Sequence, residues 1–432
     1  MLHIKRQRKG SGLIALAVIL LIATQTLKAS DEPIGEKEMI EILGKVDPEI
    51  AAAKFRKTEA EGREKQAKST YYPAVELQVL EPIPGSFPGS LGHSRVDGVM
   101  VSPYHTGFSA GFAATYSLFD FGRTGNRVKQ AEQEKLTAEL DARIARIEVI
   151  ERGLNIFYTT LKFRELGRLW SEKDQELRGI EREIVRFVGT GQRSIVDRQL
   201  IRSHVERVER EKREFEDRYQ SGLGVLASLL EIQSPVAHLV PLNAIQAVPG
   251  ETRIDEQQNP YVQKAESERR AAEFGLARAK AEHMPELRAF GSAGYIEGSR
   301  VVPMQNWAAG FAASLPLFQG FRVQGEVNEA EARVQRIQKH VEATAKKIHE
   351  TNIRLAQEIR TAQEELRLLE QELKSARLGL ATARSRYRNF QGNLTDLRET
   401  IVTYYHILGR QIETRLNLAY LVKVQALTNG NL

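Results

Sequence analysis

One short segment has the spacing of a catalytic nucleophile. Gly107-Phe108-Ser109-Ala110-Gly111 fits the Gly-x-Ser-x-Gly pattern of serine hydrolases. In those enzymes the serine occupies a strained turn between a strand and a helix, which exposes its hydroxyl oxygen. Here the serine lies inside an alternating pattern that is typical of a strand. The segment therefore predicts no nucleophile.

The other chemically reactive residue types show no useful spacing. The nine histidines are not arranged as ligand pairs, and no phosphate-binding loop or dinucleotide fingerprint occurs. The absence of cysteine excludes disulfides, thiolate metal sites and a lipidated N-terminal cysteine. We predict a protein that is not an enzyme, with no catalytic residue, no metal and no cofactor.

Charge and the N-terminus indicate where the protein acts. The net charge is +6 and both signs are dispersed, so nucleic acid is not an expected partner. A basic cluster precedes an apolar run at 13–23, and small residues follow at Ala29 and Ser30, which predicts a signal peptide over residues 1–29. An uncleaved anchor is the alternative, but the run is shorter than the ~20 residues of a membrane span. No later stretch could be a transmembrane helix, so a membrane role must use strands.

Two segments have the alternation of strands with unlike faces. From Phe108 to Leu118, a face of Phe, Tyr, Leu and Ala alternates with a face of Ser, Gly, Ala and Thr, and residues 307–317 repeat the pattern. Such strands have lipid on one side and water on the other. The residues predicted to face lipid are Phe108, Phe112, Tyr116, Leu118, Trp307, Phe311, Leu315 and Leu317.

The two segments belong to a duplication of the whole chain. Leu118-Phe119 matches Leu317-Phe318, and Gly191-Gln192-Arg193-Ser194 matches Gly392-Asn393-Leu394-Thr395. The first repeat, 31–231, contains a helical pattern over 36–70, strands at about 74–81 and 107–119, a long helix at about 124–188 and a return helix at 194–230. Residues 82–106 are a hairpin loop, and 232–258 are a linker. The second repeat, 259–432, contains a helix at 260–283, strands at about 286–297 and 306–318, a long helix at 322–389 and a helix at 395–427.

The second long helix carries a heptad repeat. Apolar residues recur every seven positions from Val327 to Ala383, which predicts helices packed side by side as in a coiled coil. Strands with a lipid face must close into a barrel, because open edges in hydrocarbon leave backbone groups unpaired. Four strands are too few to close one, since about eight are the practical minimum. We therefore expect an oligomer and favour three chains, since twelve strands leave a water-filled lumen.

Taken together, these features resemble the TolC-type outer-membrane efflux protein family. The resemblance rests on the duplicated plan, on the strand exits Leu118-Phe119-Asp120-Phe121-Gly122-Arg123 and Leu317-Phe318-Gln319-Gly320-Phe321-Arg322, and on the Gly-x-x-Ser/Thr turns. It implies an α+β membrane protein of the Gram-negative outer membrane. The expected assembly is a homotrimeric 12-stranded β-barrel continued by a periplasmic α-helical barrel. It would export small molecules or proteins in tripartite efflux or type I secretion, with a periplasmic adaptor and an inner-membrane pump as partners.

The resemblance also assigns roles at the turns between helices. It implies an adaptor-docking tip formed by Val188, Gly189, Thr190, Gly191, Ser194, Gly392 and Thr395. It further implies that Asp197, Asp396 and Glu399 line or flank a constriction that Arg193 helps to latch. Matching the two glycines puts Arg398 where the counterpart of Asp197 would fall, which departs from a symmetric aspartate ring. The alternative is that these residues are solvated helix caps.

Two other classes of protein remain alternatives at this stage. A periplasmic adaptor would carry one helical hairpin flanked by soluble β-domains, without the duplication. A structural coiled-coil protein would lack the aromatic alternation beside Gly and Ser. The residues identify neither the exported substrate nor the class of pump.

Overall fold

A computed structural model gives the architecture of the chain. It describes residues 33–80, 94–96, 99–101, 109–232, 238–240, 258–296 and 304–430. The predicted signal peptide, Phe108, and most of the predicted hairpin loop and linker lie outside these residues.

In the described part of the chain, both repeats follow one plan of helix, strands, long helix and return helix, but the first repeat has an additional helix at its start and two additional short strands. The first comprises α1 (Glu36–Val46), α2 (Pro48–Ser69), β1 (Ala74–Leu80), β2 (Ser94–Val96), β3 (Val99–Val101), β4 (Ser109–Phe119), α3 (Arg123–Gly189) and α4 (Ile195–Leu229). The second comprises α5 (Pro260–Ala281), β5 (Glu286–Ile296), β6 (Met304–Ser314), α6 (Arg322–Arg388) and α7 (Leu394–Thr428). No helix among the described residues is both long and apolar enough to cross a membrane.

The first helical segment is broken, where the sequence pattern predicts one helix over 36–70. α1 ends at Val46, and Asp47 adopts an extended conformation with φ −62° and ψ 126°. The ring of Pro48 disfavours the helical conformation for the residue before it, yet suits the first position of the next helix. Asn259-Pro260 starts α5 in the same way, and the Asn259 side chain accepts a hydrogen bond from the Tyr261 N–H at 2.9 Å.

Four strands form one antiparallel sheet in the order β1-β4-β5-β6. Leu77 pairs with Phe112, Phe112 with Ala293, and Ala293 with Trp307, so these residues share one face. The neighbouring row, which runs from Gln78 through two glycines, lies on the opposite face and is small and polar. The sheet and the long helices confirm the predicted fold class of four strands and long helices in two repeats. β2 and β3 pair separately.

The strand ends differ from the prediction. Ser117 pairs with Arg288 and Phe119 with Leu287, so Leu118 lies in a β-bulge. A bulge shifts the alternation by one residue. β6 ends at Ser314, so Leu315 and Leu317 are not strand residues. Pro316 lacks an N–H for a strand ladder, which accounts for the early end.

The chain divides into two compact units. Unit 1 contains the described residues within 1–47, 150–249 and 360–421, and unit 2 contains those within 48–149, 250–359 and 422–432. The whole four-stranded sheet belongs to unit 2. A core cluster in unit 1 draws on all four helices that meet there, and its buried members include Ile184, Ile201, Val205, Tyr387, Leu397 and Ile401.

The heptad of α6 faces the interior. Val341, Ile348, Leu355, Ala362 and Leu369 are buried. The seven-residue spacing places these side chains on one stripe of the helix. Neighbouring helices therefore cover that stripe.

Candidate functional site

Two turns between helices form the candidate site, and both lie in unit 1. α3 ends at Gly189 and α4 begins at Ile195, while α6 ends at Arg388 and α7 begins at Leu394. The Ser194 hydroxyl oxygen accepts a hydrogen bond from the Val196 N–H at 3.1 Å, as a helix cap does. In the second turn, the Asn393 side-chain oxygen accepts from the Asp396 N–H at 2.7 Å.

The backbone corrects the alignment of the two turns. The starts of α3 and α6, their ends, and the starts of α4 and α7 are all separated by 199 positions. By this spacing Gly191 is equivalent to Phe390, and both have positive φ, at 73° and 62°. The hydrogen bonds agree, because the Gln192 N–H bonds the Phe187 carbonyl and the Gln391 N–H bonds the Arg386 carbonyl, each at 2.8 Å. Matching Gly191 to Gly392 was therefore wrong by two residues.

The corrected alignment makes Asp197 and Asp396 equivalent. Each is the third residue of its helix. The prediction that Arg398 occupies the place of the second aspartate is therefore wrong. By the same spacing Thr395 corresponds to Val196, and Glu399 corresponds to Leu200.

These acidic and polar side chains differ in exposure. Asp197 is half-buried, whereas Asp396, Glu399 and Thr395 are exposed. Acidic side chains in the first turn of a helix are stabilised by the helix dipole, so both aspartates also suit their positions as helix starts.

Arg193 joins the two turns. Its Nη2 donates a hydrogen bond to the Tyr387 carbonyl oxygen at 2.8 Å. Its guanidinium carbon lies 4.3 Å from the ring centroid of Tyr387 and 5.3 Å from that of Phe390. The rings of Phe390 and Phe187 in turn meet edge to face, with centroids 5.0 Å apart. Among the described residues Arg193 forms no ion pair, so its contacts are a carbonyl and two aromatic faces rather than a carboxylate.

Tyr387 lies beneath Arg193 and is 1% exposed. Its hydroxyl donates a long hydrogen bond of 3.5 Å to Asp197 Oδ2. Burial, and then the charge of Asp197, raise the pKa of Tyr387 to about 12. The hydroxyl therefore stays protonated as a donor at physiological pH.

Ion pairs between helices support the turns, and the sequence analysis missed them. Arg388 binds Glu183 through two hydrogen bonds of 2.6 and 3.1 Å. Arg384 pairs with Glu176, which also accepts a hydrogen bond from the Tyr405 hydroxyl at 2.8 Å. Glu183 and Arg388 are distant in sequence, and charged residues are common on these helices. No sequence pattern singles out this pair.

The first turn also exposes apolar side chains. Ile195 is 60% exposed and Val196 57% exposed. Of the predicted docking residues, Gly189, Thr190, Gly191 and Ser194 are exposed, whereas Val188 and Gly392 are half-buried. Val188 packs against the core cluster of unit 1. Thr190 Oγ1 donates to the Arg186 carbonyl at 3.2 Å, which holds its side chain against the end of α3.

The described members of the set predicted to face lipid lie in unit 2. Phe112, Phe311 and Trp307 are largely exposed on one face of the sheet. Tyr116 is half-buried. Leu118, in the bulge, and Leu315 and Leu317, beyond β6, are also exposed.

The described residues offer no metal site, since no three His, Cys, Asp or Glu side chains among them are placed to hold an ion.

Comparison with known proteins gives a family match. The family described as Outer membrane efflux protein matches residues 40–230 and 255–428. No curated protein sequence matches the chain significantly.

Solved structures share the fold at low sequence identity. The outer membrane protein VceC from Vibrio cholerae is 18% identical with a TM-score of 0.76, covering 91% of this chain and 96% of that chain. CusC is 17% identical with a TM-score of 0.75, covering 91% of this chain and 90% of that chain. The MtrE outer membrane channel of Neisseria gonorrhoeae, in its open state, is 17% identical with a TM-score of 0.74, covering 92% and 89%.

Proposed function

The chain belongs to the outer membrane efflux protein family, and from this premise we propose that three copies of it form the exit duct of a tripartite efflux or type I secretion system. Family membership makes the protein an outer-membrane efflux channel rather than an enzyme. It also excludes the two alternatives, a periplasmic adaptor and a structural coiled-coil protein.

The four-stranded sheet carries this proposal. β1 and β6 each have a strand neighbour on one side only among the described residues, so both edges have unpaired backbone groups. Each N–H or C=O group that lies in hydrocarbon without a hydrogen bond costs roughly several kcal/mol. Three sheets joined edge to edge give twelve strands, which close a barrel that leaves a lumen.

The two faces of the sheet support the same assembly. Phe112, Trp307 and Phe311 lie on one face, where they would contact lipid. Ala308, Gly310 and Ala312 lie on the other, where they would leave room for water in a lumen.

The test is the native mass of the protein after detergent extraction of outer membranes. We expect a mass near three chains. Phe311→Lys should reduce the amount of trimer in the outer membrane, because a lysine at mid-bilayer depth costs about 2–4 kcal/mol. Ala312→Lys, its neighbour on the opposite face, is the matched control and should assemble. A soluble monomer, or equal loss in both variants, would contradict the trimer.

We propose that Asp197 and Asp396 flank the narrow end of the tunnel and that Glu399 adds charge beside them. Their equivalent positions would give six carboxylates in a trimer. Replacing Asp197 and Asp396 together by Asn should weaken block of the conductance by divalent cations. Asp217→Asn, on the exposed side of α4, is the control. Unchanged block in the double variant would exclude this role.

We also propose that the adaptor docks on the exposed turns, where Ile195 and Val196 offer apolar contacts. The chain has no native cysteine, so Thr190→Cys provides a unique crosslinking site. In cells that carry the adaptor, it should form a crosslink to the adaptor. Arg213→Cys, farther along α4, should not. Equal crosslinking at both positions would argue against docking at the turns.

A further inference from the structure

A groove in unit 2 has an unusual concentration of arginine. It has a volume of about 930 Å³ and lies among α2, α3, α5 and α6. Eight arginines and seven acidic residues line it, so the total charge is nearly balanced. However, ion pairs involve most of the acidic residues but fewer than half of the arginines.

Three of the arginines are neutralised by carboxylates. Arg63 pairs with Glu59, Arg322 with Glu326 at 2.6 Å, and Arg123 with Glu282 at 3.5 Å. Asp141 and Glu268 are both held by Lys264, at 2.7 and 3.9 Å. These pairs account for five of the seven acidic residues.

The remaining charges are mostly positive. Among the described residues, Arg56, Arg127, Arg278, Arg333 and Arg336 line the groove without a carboxylate partner. Two acidic residues lack a cationic partner there, namely Glu134, which accepts a hydrogen bond from Gln130 at 2.8 Å, and Glu329. Five free guanidinium groups on four helices therefore outnumber two free carboxylates. Clustered cations of this kind attract anions into a concave surface.

The groove is connected to the polar face of the sheet. Arg123 reaches from the groove to Glu286, with Nη1 and Oε2 3.3 Å apart. Glu286 also accepts a hydrogen bond from the Ser117 hydroxyl at 3.4 Å. Ser117 and Glu286 both lie on the small, polar face of the sheet. Arg123 therefore links the groove to the side of the sheet that would carry water.

We propose that this groove binds soluble organic anions that carry two or more carboxylate or phosphate groups. Guanidinium groups bind both kinds of oxyanion through paired hydrogen bonds, and such charge-assisted bonds are stronger than neutral ones. A multivalent anion also relieves the repulsion among neighbouring arginines. That these anions are exported molecules rests on the proposed efflux function; the binding itself does not.

The primary experiment is calorimetric titration of the purified full-length protein in detergent with citrate and with pyrophosphate. We expect saturable binding that weakens as salt is added, because salt screens these charges. The triple variant Arg127→Gln, Arg278→Gln, Arg333→Gln should bind at least tenfold more weakly. Arg146→Gln, an exposed arginine of α3 outside the groove, should bind like the original protein. Circular dichroism and native mass establish that each variant is folded and assembled.

Absence of citrate and pyrophosphate binding to the original protein, or equal binding by the triple variant, would overturn the site. Planar-bilayer recordings separate this result from the channel function. Conductance with no anion binding leaves efflux standing and removes the site. Binding without conductance keeps the site and counts against transport of these anions through the channel.

Discussion

The turn between α3 and α4 and the turn between α6 and α7 have the same backbone path and unlike side chains. At the position of positive φ, the first turn has Gly191 and the second has Phe390. Two residues later, the first has Arg193 and the second has Gly392. The first turn therefore provides a long cation, and the second provides the aromatic surface that this cation contacts.

This difference shows how a duplicated element becomes a matched pair. A residue with a side chain in the left-handed conformation costs about 1–2 kcal/mol relative to glycine. Phe390 offsets that cost by its contacts with Phe187 and with Arg193. The two turns have the same backbone path and different side chains. The contact is therefore made by the guanidinium group of the first turn with the aromatic rings of the second.

The largest effect on stability should come from substitution of Tyr387, whose counterpart in the first repeat is Val188. Tyr387→Ala should lower the free energy of unfolding of unit 1 by about 3–5 kcal/mol, because it opens a cavity beneath Arg193. Val188→Ala should cost only about 1 kcal/mol, since Val188 is smaller and half-buried. Thermal unfolding in detergent, followed by helical circular dichroism, measures both. Equal losses would mean that the two positions are not specialised.

Removing the cation should have the next largest effect. Arg193→Ala should cost about 2 kcal/mol, because it loses a charge-assisted hydrogen bond and two aromatic contacts. Arg193→Lys should recover part of this, since lysine keeps the charge and loses the planar group. Arg198→Ala, on the exposed side of α4, is the control and should change stability by less than about 0.5 kcal/mol. If Arg193→Ala behaves like this control, Arg193 does not join the turns.

The glycine should have a smaller effect. Gly191→Ala should cost about 1 kcal/mol, because a Cβ is unfavourable at positive φ although no atom blocks it. Gly189→Ala also meets no atom, but Gly189 belongs to α3, so it should be neutral or stabilising. Because neither new Cβ meets another atom, comparison of the two variants separates the effect of backbone conformation on stability from the effect of packing. Two equal results would show that the turn does not require the left-handed conformation.

The smallest effect concerns pH and His204, whose counterpart in the second repeat is the exposed Thr403. Burial lowers the pKa of His204 from its ordinary value of 6.5. The nearby cations Arg398, Arg207 and Lys173 lower this pKa further, and the charge of Glu211 partly opposes the decrease. Below about pH 6.5 the unfolded chain therefore binds a proton that the native state resists, so stability falls as the pH decreases.

The measurement is the unfolding temperature at pH 7.5 and pH 5 for the original protein and for His204→Gln. The variant should lose part of the pH dependence. Thr403→Gln is the matched control and should keep it. An unchanged slope in His204→Gln would assign the pH dependence to other groups.

The fold class could be predicted from sequence because its signals are periodic. The alternation around Phe112 and the heptad of α6 each follow from the geometry of one element. The ends of the strands could not be predicted from periodicity. The bulge at Leu118 depends on pairing between strands, and the alternation continues past it. The end of β6 at Ser314 is indicated in the sequence only by Pro316, which the alternation also continues past.

The candidate site was less predictable for a related reason. Glycine was taken to mark the left-handed position in both turns, but Phe390 occupies it in the second. The strand exits show the same exchange, because Phe121-Gly122 and Gly320-Phe321 have positive φ at equivalent positions with the residue types reversed. The contact between Arg193 and Tyr387 joins residues that are far apart in sequence, and no pattern along the chain links them.

The central pairing of the sheet sets the order in which the protein can fold. β4 pairs with β5, although α3, α4 and α5 lie between them in the chain, whereas β5 and β6 are joined directly. Contacts that are distant in sequence form slowly, since a long loop must close before they are made. The β5–β6 hairpin can form early, but the sheet must wait until both repeats have been synthesised and exported. During that interval β4 exposes an unpaired edge, which makes the newly secreted chain most vulnerable to aggregation before its second half arrives.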